Sequence, residues 1–325
     1  MNDDYTKGIP KLFLFFIYIC IIPNLLIWTI FPAMKAKMQA DQEKDSFVIE
    51  RHSSTPVDYA SLIDLWYIHV GQGECTLITS SDRAGHGVLI DTGPRTGYSN
   101  VVAALKAAKV DTIDMLILTD QDMENIQNTD RLLKNYKVNN IVMPSTEENE
   151  GKYWNLTQKF SEDVTNIRIP EDEIFINYGN AVIAIYQLDS YKLITKLIQK
   201  NRTFIFLGNA GNEELYRLKE SGVKLNANVI KMANHGSSEY GYNSEWLYNA
   251  VRPDFAVISC GLQNAQGYPH QATMEMLYHH KVGLYRTDLQ GTIHCRCDGD
   301  FLMWYKDPTQ IYADGETIRT SMGLY

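Results

Sequence analysis

Apolar and polar positions along the chain fall into three regimes. Residues 12–31 read LFLFFIYICIIPNLLIWTIF without a charge. About 20 helical residues rising about 1.5 Å each span the ~30 Å hydrocarbon core of a bilayer, so the run predicts one transmembrane helix over residues 12–33, behind a short tail at 1–11. The run exceeds the apolar stretch of about 7 to 15 residues in a cleaved signal peptide, and no A-x-A site follows it. Pro23 and Asn24 fall mid-span, where the missing backbone donor predicts a local kink. Residues 34–60 (KAKMQADQEKDS, then RHSSTP) are too poor in aliphatics to bury a core and read as a polar stalk. The third regime, residues 61–306, carries the pattern of a folded domain, and 307–325 read as a C-terminal tail.

Within that domain, apolar runs of strand length broken by glycine predict strands over 63–70, 75–79 and 88–90. SNVVAALKAAK has apolar residues at helical spacing and predicts a helix over 99–109, followed by a buried strand at 115–118 and a helix over 129–136. The later half predicts strands at 181–188, 203–207, 229–232 and 255–259, helices at 213–219, 244–251 and 273–280, and closing strands at 284–286 and 292–297. Alternation of this kind fits an α/β protein of two sheets with helices outside them.

Charge narrows the function classes. With 30 Lys and Arg against 39 Asp and Glu, the formal net charge is −9. No dense basic run is present, which argues against a nucleic-acid footprint. Lys7 and Lys11 precede the apolar run and Lys35, Lys37 and Lys44 follow it, so charge alone does not set its orientation. Cys295 and Cys297 are one residue apart, the wrong spacing for CxxC, and all five cysteines read as packing residues.

Four segments then occur in order: HVGQGECTLI with VLIDTG (69–78, 88–93), LILTDQDMEN (116–125), FLGNA (206–210), and VIKMANHGSS leading to VISCGLQNAQGYPH (229–238, 257–270). YRTDLQGTI (285–293) closes the series. Together they resemble the metallo-β-lactamase domain at the C-terminus of ComEC-type competence proteins. The resemblance covers about residues 65–305 and implies an αββα sandwich, the metallo-β-lactamase fold, here behind one N-terminal transmembrane helix.

Active members of that family hold one or two metal ions with a THxHxDH loop, a GD pair, an HHGS turn and a downstream His-Pro. Such ligands around an open coordination position lower the pKa of bound water and supply hydroxide for hydrolysis. By the resemblance, Asp120 and Asp122 stand at the first two histidines of the loop, Glu124 at its aspartate and Asn125 at its last histidine. Asn209 stands at the bridging aspartate, Asn234 at the first His of HHGS and Tyr268 at the His before proline. His235 alone keeps the family identity, and His270 lies one place past Pro269 and is not the missing ligand. Independently of any alignment, no histidine occurs between His86 and His235.

The expected metal-site positions are therefore Asp120, Asp122, Glu124, Asn125, Asn209 and His235, as vestiges. No cofactor is expected; were one held, it would be a divalent metal, Mn, Mg or residual Zn. Asp120, Asp122 and Glu124 still place three carboxyls on alternate residues, which suits a hard ion, against the plainer reading that they solvate a loop and cap a helix. His235 reads as a hydrogen-bonded turn residue, and Asp91 and Gly93 of DTG as scaffold. Tyr240, Tyr242 and Trp246 either line a cleft or pack. No nucleophile elbow accompanies Asp64, His69 or Ser237, so nucleophilic catalysis is rejected. The expectation is a ComEC-like protein anchored in the cell membrane, its domain outside the cytoplasm, binding a ligand or envelope partner without catalysis. The alternative is a Mn- or Mg-dependent phosphodiester or ester hydrolase.

Overall fold

A computed structural model describes residues 48–49, 62–144, 166–168, 170–171, 173–188, 191–262 and 264–322. The expected membrane span and most of the stalk lie outside these residues. No helix among the described residues is long and apolar enough to cross a membrane.

The first sheet is built from β1 (Val48–Ile49), β2 (Ile63–Tyr67), β3 (Thr76–Ser80), β4 (His86–Ile90), β5 (Thr112–Ile117), β6 (Lys137–Val138), β7 (Asn140–Val142) and β8 (Asn166–Arg168). The chain then forms a second sheet from β9 (Glu173–Tyr178), β10 (Ala181–Leu188), β11 (Lys192–Gln199), β12 (Arg202–Phe206), β13 (Val229–Lys231), β14 (Phe255–Ile258) and β15 (Gly283–Arg286). It returns through β16 (Ile293–Cys297) and β17 (Leu302–Trp304) to the first sheet, whose order is β1-β17-β16-β2-β3-β4-β5-β7-β8 with β6 beside β5. The second sheet follows β15-β14-β13-β12-β11-β10-β9. Both are mixed: β2, β3 and β16 pair antiparallel while β4, β5 and β7 run parallel, and β9 to β12 form an antiparallel meander ahead of parallel β12 to β15.

Side-chain alternation explains the layering. Ile63, Leu65 and Tyr67 of β2 join Ile183, Ile185, Leu197, Phe204 and Val257 in a cluster made only of buried strand residues from both sheets, so the sheets face one another. A second cluster joins Ile205, Ile230 and Ile258 to helices α4 (Asn212–Glu220), α5 (Glu245–Val251) and α6 (Gln271–His279). A third joins Leu77, Leu89 and Leu116 to α1 (Tyr98–Ala107), α2 (Met123–Ile126) and α3 (Thr129–Asn135). Helices thus cover both outer faces. The segment beyond residue 306 lies against this body: the Tyr312 hydroxyl donates to the Val282 carbonyl, and the Arg286 guanidinium donates to the Ala313 carbonyl.

Most elements fall within a few residues of the sequence expectations; the strand at Ala181–Leu188 coincides with its expectation. Seven strands were not anticipated: β6, β7, β8, β9, β11, β17, and β1, which falls within the expected stalk. In β11 the run KLITKLIQ is interrupted by Lys196, which is nonetheless only 5% exposed. Its ammonium donates to the carbonyls of Lys224 and Asn226, which satisfies the charge-bearing group inside the sheet.

Trp304 has no exposed surface and stacks on Tyr285 with centroids 4.0 Å apart. Trp304→Ala is expected to cost about 3–5 kcal/mol, read as a lower urea midpoint at unchanged slope. A loss below about 1 kcal/mol would show that inter-sheet packing does not depend on this ring.

Candidate functional site

The parallel strands β4, β5, β12 and β13 end at segments that converge, the usual location of sites in open parallel sheets. Asp91 follows β4 at φ 58° and is fully buried. Its carboxyl accepts from the Thr119 amide at 2.9 Å and from the Thr119 hydroxyl at 2.7 Å, joining the ends of β4 and β5. Burial, then the charges of Asp120 and Glu74, push this carboxyl well above the usual range. Gly93 has φ +69°, and a Cβ there would lie 2.9 Å from Val70, so the third residue of DTG is held to glycine by both conformation and space.

The loop after β5 carries four of the six expected positions. Asp120 is 4% exposed and accepts from the Asp122 amide at 2.8 Å. Both its oxygens face the Asn125 carboxamide nitrogen, at 3.1 and 3.0 Å. Burial first, and the Asp122 charge second, push the Asp120 carboxyl up to about 7. Asp122 occupies the position before α2, as the capping reading expected, yet its side chain makes no cap bond. It accepts instead from the Asn209 carboxamide nitrogen at 2.6 Å, bringing in the fifth expected position from the end of β12.

Glu124 reaches the sixth. Its Oε1 lies 3.0 Å from Nε2 of His235, while Nδ1 of that ring lies 2.8 Å from the Ser259 carbonyl. A carbonyl only accepts, so Nδ1 carries a proton. The hydrogen bond to His235 holds Glu124 below the usual carboxylate range against the opposing effect of burial, so Nε2 donates as well. Burial would lower the His235 pKa, but the Glu124 hydrogen bond and the charges of Glu74 and Glu124 outweigh it and raise the value. Each ring nitrogen thus faces an acceptor. The turn that presents it holds Asn234 at φ 42° and His235 at φ 53°. Asparagine tolerates this left-handed region better than most side chains.

Sequence reasoning missed the strongest pair nearby. Lys231, 1% exposed, places its ammonium 2.5 Å from the carboxylate of Glu74, itself 5% exposed, and Glu74 also lies 3.9 Å from Nδ1 of His235. Both residues sit inside quoted motifs, HVGQGEC and VIKMANHGSS, and two opposite charges in otherwise apolar, strand-adjacent runs were the available signal. Tyr268 is nearly buried, with its ring centroid 6.0 Å from that of His235. His270 stands apart, accepting from the Ser238 amide at 3.1 Å. Asp64 bonds His294 and Arg296 rather than His69. Cys75, Cys260, Cys295 and Cys297 are buried and free.

These donors do not fit zinc. Nδ1 of His235 is committed to the Ser259 carbonyl, and Nε2, the ring nitrogen left for a metal ion, lies against the Glu124 carboxylate instead. At Asn125 and Asn209 it is the NH2 that faces a carboxylate, an orientation fixed because turning either amide would set its oxygen against that carboxylate. Among the described residues no three His, Cys, Asp or Glu side chains are placed to hold a metal ion.

Two facing mixed sheets with helices on both sides and a site at strand ends define an α/β protein of metallo-β-lactamase-like fold. Among curated proteins the chain is similar to ComEC-type competence proteins, as its motifs implied. It is 26% identical to ComE operon protein 3 of Bacillus subtilis over 70% of this chain and 32% of that protein. It is 27% identical to competence protein ComA of Neisseria gonorrhoeae over 76% of this chain and 34% of that protein. The chain thus spans about a third of the length of these curated relatives. Among solved structures, the metallo-β-lactamase fold protein YhfI of Bacillus subtilis aligns over 69% of this chain and 95% of its own at 10% identity, with a TM-score of 0.49. No protein-family model matches the chain.

Two outcomes follow from the buried charges. Lys231→Met leaves Glu74 unpaired and is expected to cost about 3–5 kcal/mol in urea unfolding, most of it recovered in Lys231→Met with Glu74→Leu. Failure of the second change to restore stability would mean that Lys231 packs rather than compensates. Asp120 has a folded-state pKa raised from 3.8 to about 7. Its contribution is fully present at acid pH and is lost as pH rises through about 7. Asp120→Asn should therefore flatten the fall in stability between those values; an unchanged profile would place the titration elsewhere.

Proposed function

We propose that this ComEC-like domain binds a ligand or an envelope partner in its former metal cleft and does not carry out metal-dependent hydrolysis. The observation that carries this reading is the Glu124–His235 contact at 3.0 Å, with the second ring nitrogen on the Ser259 carbonyl. In this arrangement His235 is hydrogen-bonded through both ring nitrogens, and Asp120 and Asp122 each accept from a carboxamide. The domain works as a membrane-tethered module, held by residues 12–33 with the folded part outside the cytoplasm. The relatives are named for competence, and the role proposed for this chain is accessory to such an envelope assembly. An excess of nine acidic charges disfavours direct capture of nucleic acid.

A hydrolase using Asp120, Asp122 and Glu124 around Mn or Mg is the competing reading, since Asp122 is exposed. Equilibrium dialysis of the full chain in detergent against Zn, Mn, Mg and Ca in turn, followed by plasma mass spectrometry, separates the two. The expected uptake is far below one equivalent for every ion. Stoichiometric uptake that disappears in the Asp120→Ala, Asp122→Ala double variant would falsify the non-hydrolytic reading.

A further inference from the structure

Beside the cleft, a groove of about 610 Å³ opens between the turn after His235 and the exposed face of α6. Its lining includes Tyr242, Glu245, Glu275, Met276, Tyr278 and His279: two carboxylates, no lysine or arginine, and one imidazole. We propose that this groove is a subsite for a small organic cation bearing an ammonium head. The inference deepens the binding reading and rests on it for its purpose, not for its test.

Five observations carry the argument. The volume falls in the range of about 300–1,000 Å³ usual for small-molecule sites. Glu275 accepts one hydrogen bond from the Gln271 carboxamide and Glu245 one from His280, and a carboxylate has about four lone-pair positions, so both retain acceptor capacity. Tyr278 is 69% exposed and braced edge-on by Tyr312 at 5.3 Å, leaving an aromatic surface presented to solvent at a fixed orientation. Ring faces carry negative quadrupole potential and attract ammonium groups, most strongly where carboxylates stand close by. Tyr242 links groove and cleft: it lines the groove while its hydroxyl donates to the Asn209 carbonyl at 3.3 Å. Two residues before it, Tyr240 stands 94% exposed at φ 49°, an aromatic ring that no packing contact rewards for its left-handed backbone.

The test is titration of the detergent-solubilised full chain with choline, and in parallel with its neutral carbon isostere 3,3-dimethyl-1-butanol, by calorimetry and saturation-transfer NMR. Choline is expected to bind saturably and at least about tenfold more tightly than the isostere. Glu275→Gln and Tyr278→Ala, both at exposed positions, should each weaken it about three- to tenfold at unchanged melting temperature, and together abolish it. Equal binding of the isostere, or binding untouched by both variants, overturns the proposal. An oligolysine peptide binding where choline does not would also overturn it, in favour of a protein partner. Metal uptake measured on the same preparation reports on the neighbouring cleft alone, so stoichiometric metal together with saturable, variant-sensitive choline binding would refute the non-hydrolytic reading and uphold the subsite.

Discussion

Carboxyl groups gathered where parallel strands end must be compensated inside the chain, and the architecture of this cleft follows from that constraint. Glu74, Asp91 and Asp120 are each at most 5% exposed. An unpaired buried carboxylate costs several kcal/mol even after relaxation. Three devices meet the cost here. Lys231 supplies positive charge, the His235 ring and the carboxamides of Asn125 and Asn209 supply hydrogen-bond donors, and burial raises the pKa of Asp91 and Asp120. The Glu74–Lys231, Asp122–Asn209 and Glu124–His235 contacts each join a segment of the first sheet to one of the second, so neutralising the cluster also fixes how the loops of the two sheets meet.

Much of this fold was legible along the chain because its elements obey two simple periods. Alternation in IDLWY and in AVIAIYQL set the inner faces of β2 and β10, and the helical spacing of VVAALKA set α1. Motif order supplied what periodicity could not, namely that loops far apart in sequence end in one place. The six expected positions do come together: Asp120 with Asn125, Asp122 with Asn209, and Glu124 with His235.

What was not legible was the pairing itself. Glu74 and Lys231 stand 157 residues apart, and no local pattern marks one as the partner of the other. Lys196 obscured β11 for a related reason, since its ammonium is satisfied by backbone carbonyls that exist only once the loop at 224–226 has formed. The capping expectation for Asp122 failed because a neutral donor from another strand outcompeted the local backbone, at a contact of 2.6 Å. Local propensity describes what a side chain does when nothing else approaches it; at convergent loop ends something always does.

The pairings also make the carboxylate cluster self-consistent. Returning Asn209 to aspartate would set a second carboxylate against Asp122 at the present hydrogen-bond contact, with no metal ion yet able to bind between them. Replacing Glu124 by a smaller acid would withdraw the acceptor that keeps Nε2 of His235 protonated, yet leave that ring held through Nδ1 by Ser259. Restoring a histidine at position 125 would remove the amide that faces both oxygens of Asp120. Each of these changes taken singly raises the cost of the cluster. The neutral donors Asn125 and Asn209 are thus the groups that make the neighbouring carboxylates tolerable without a metal ion.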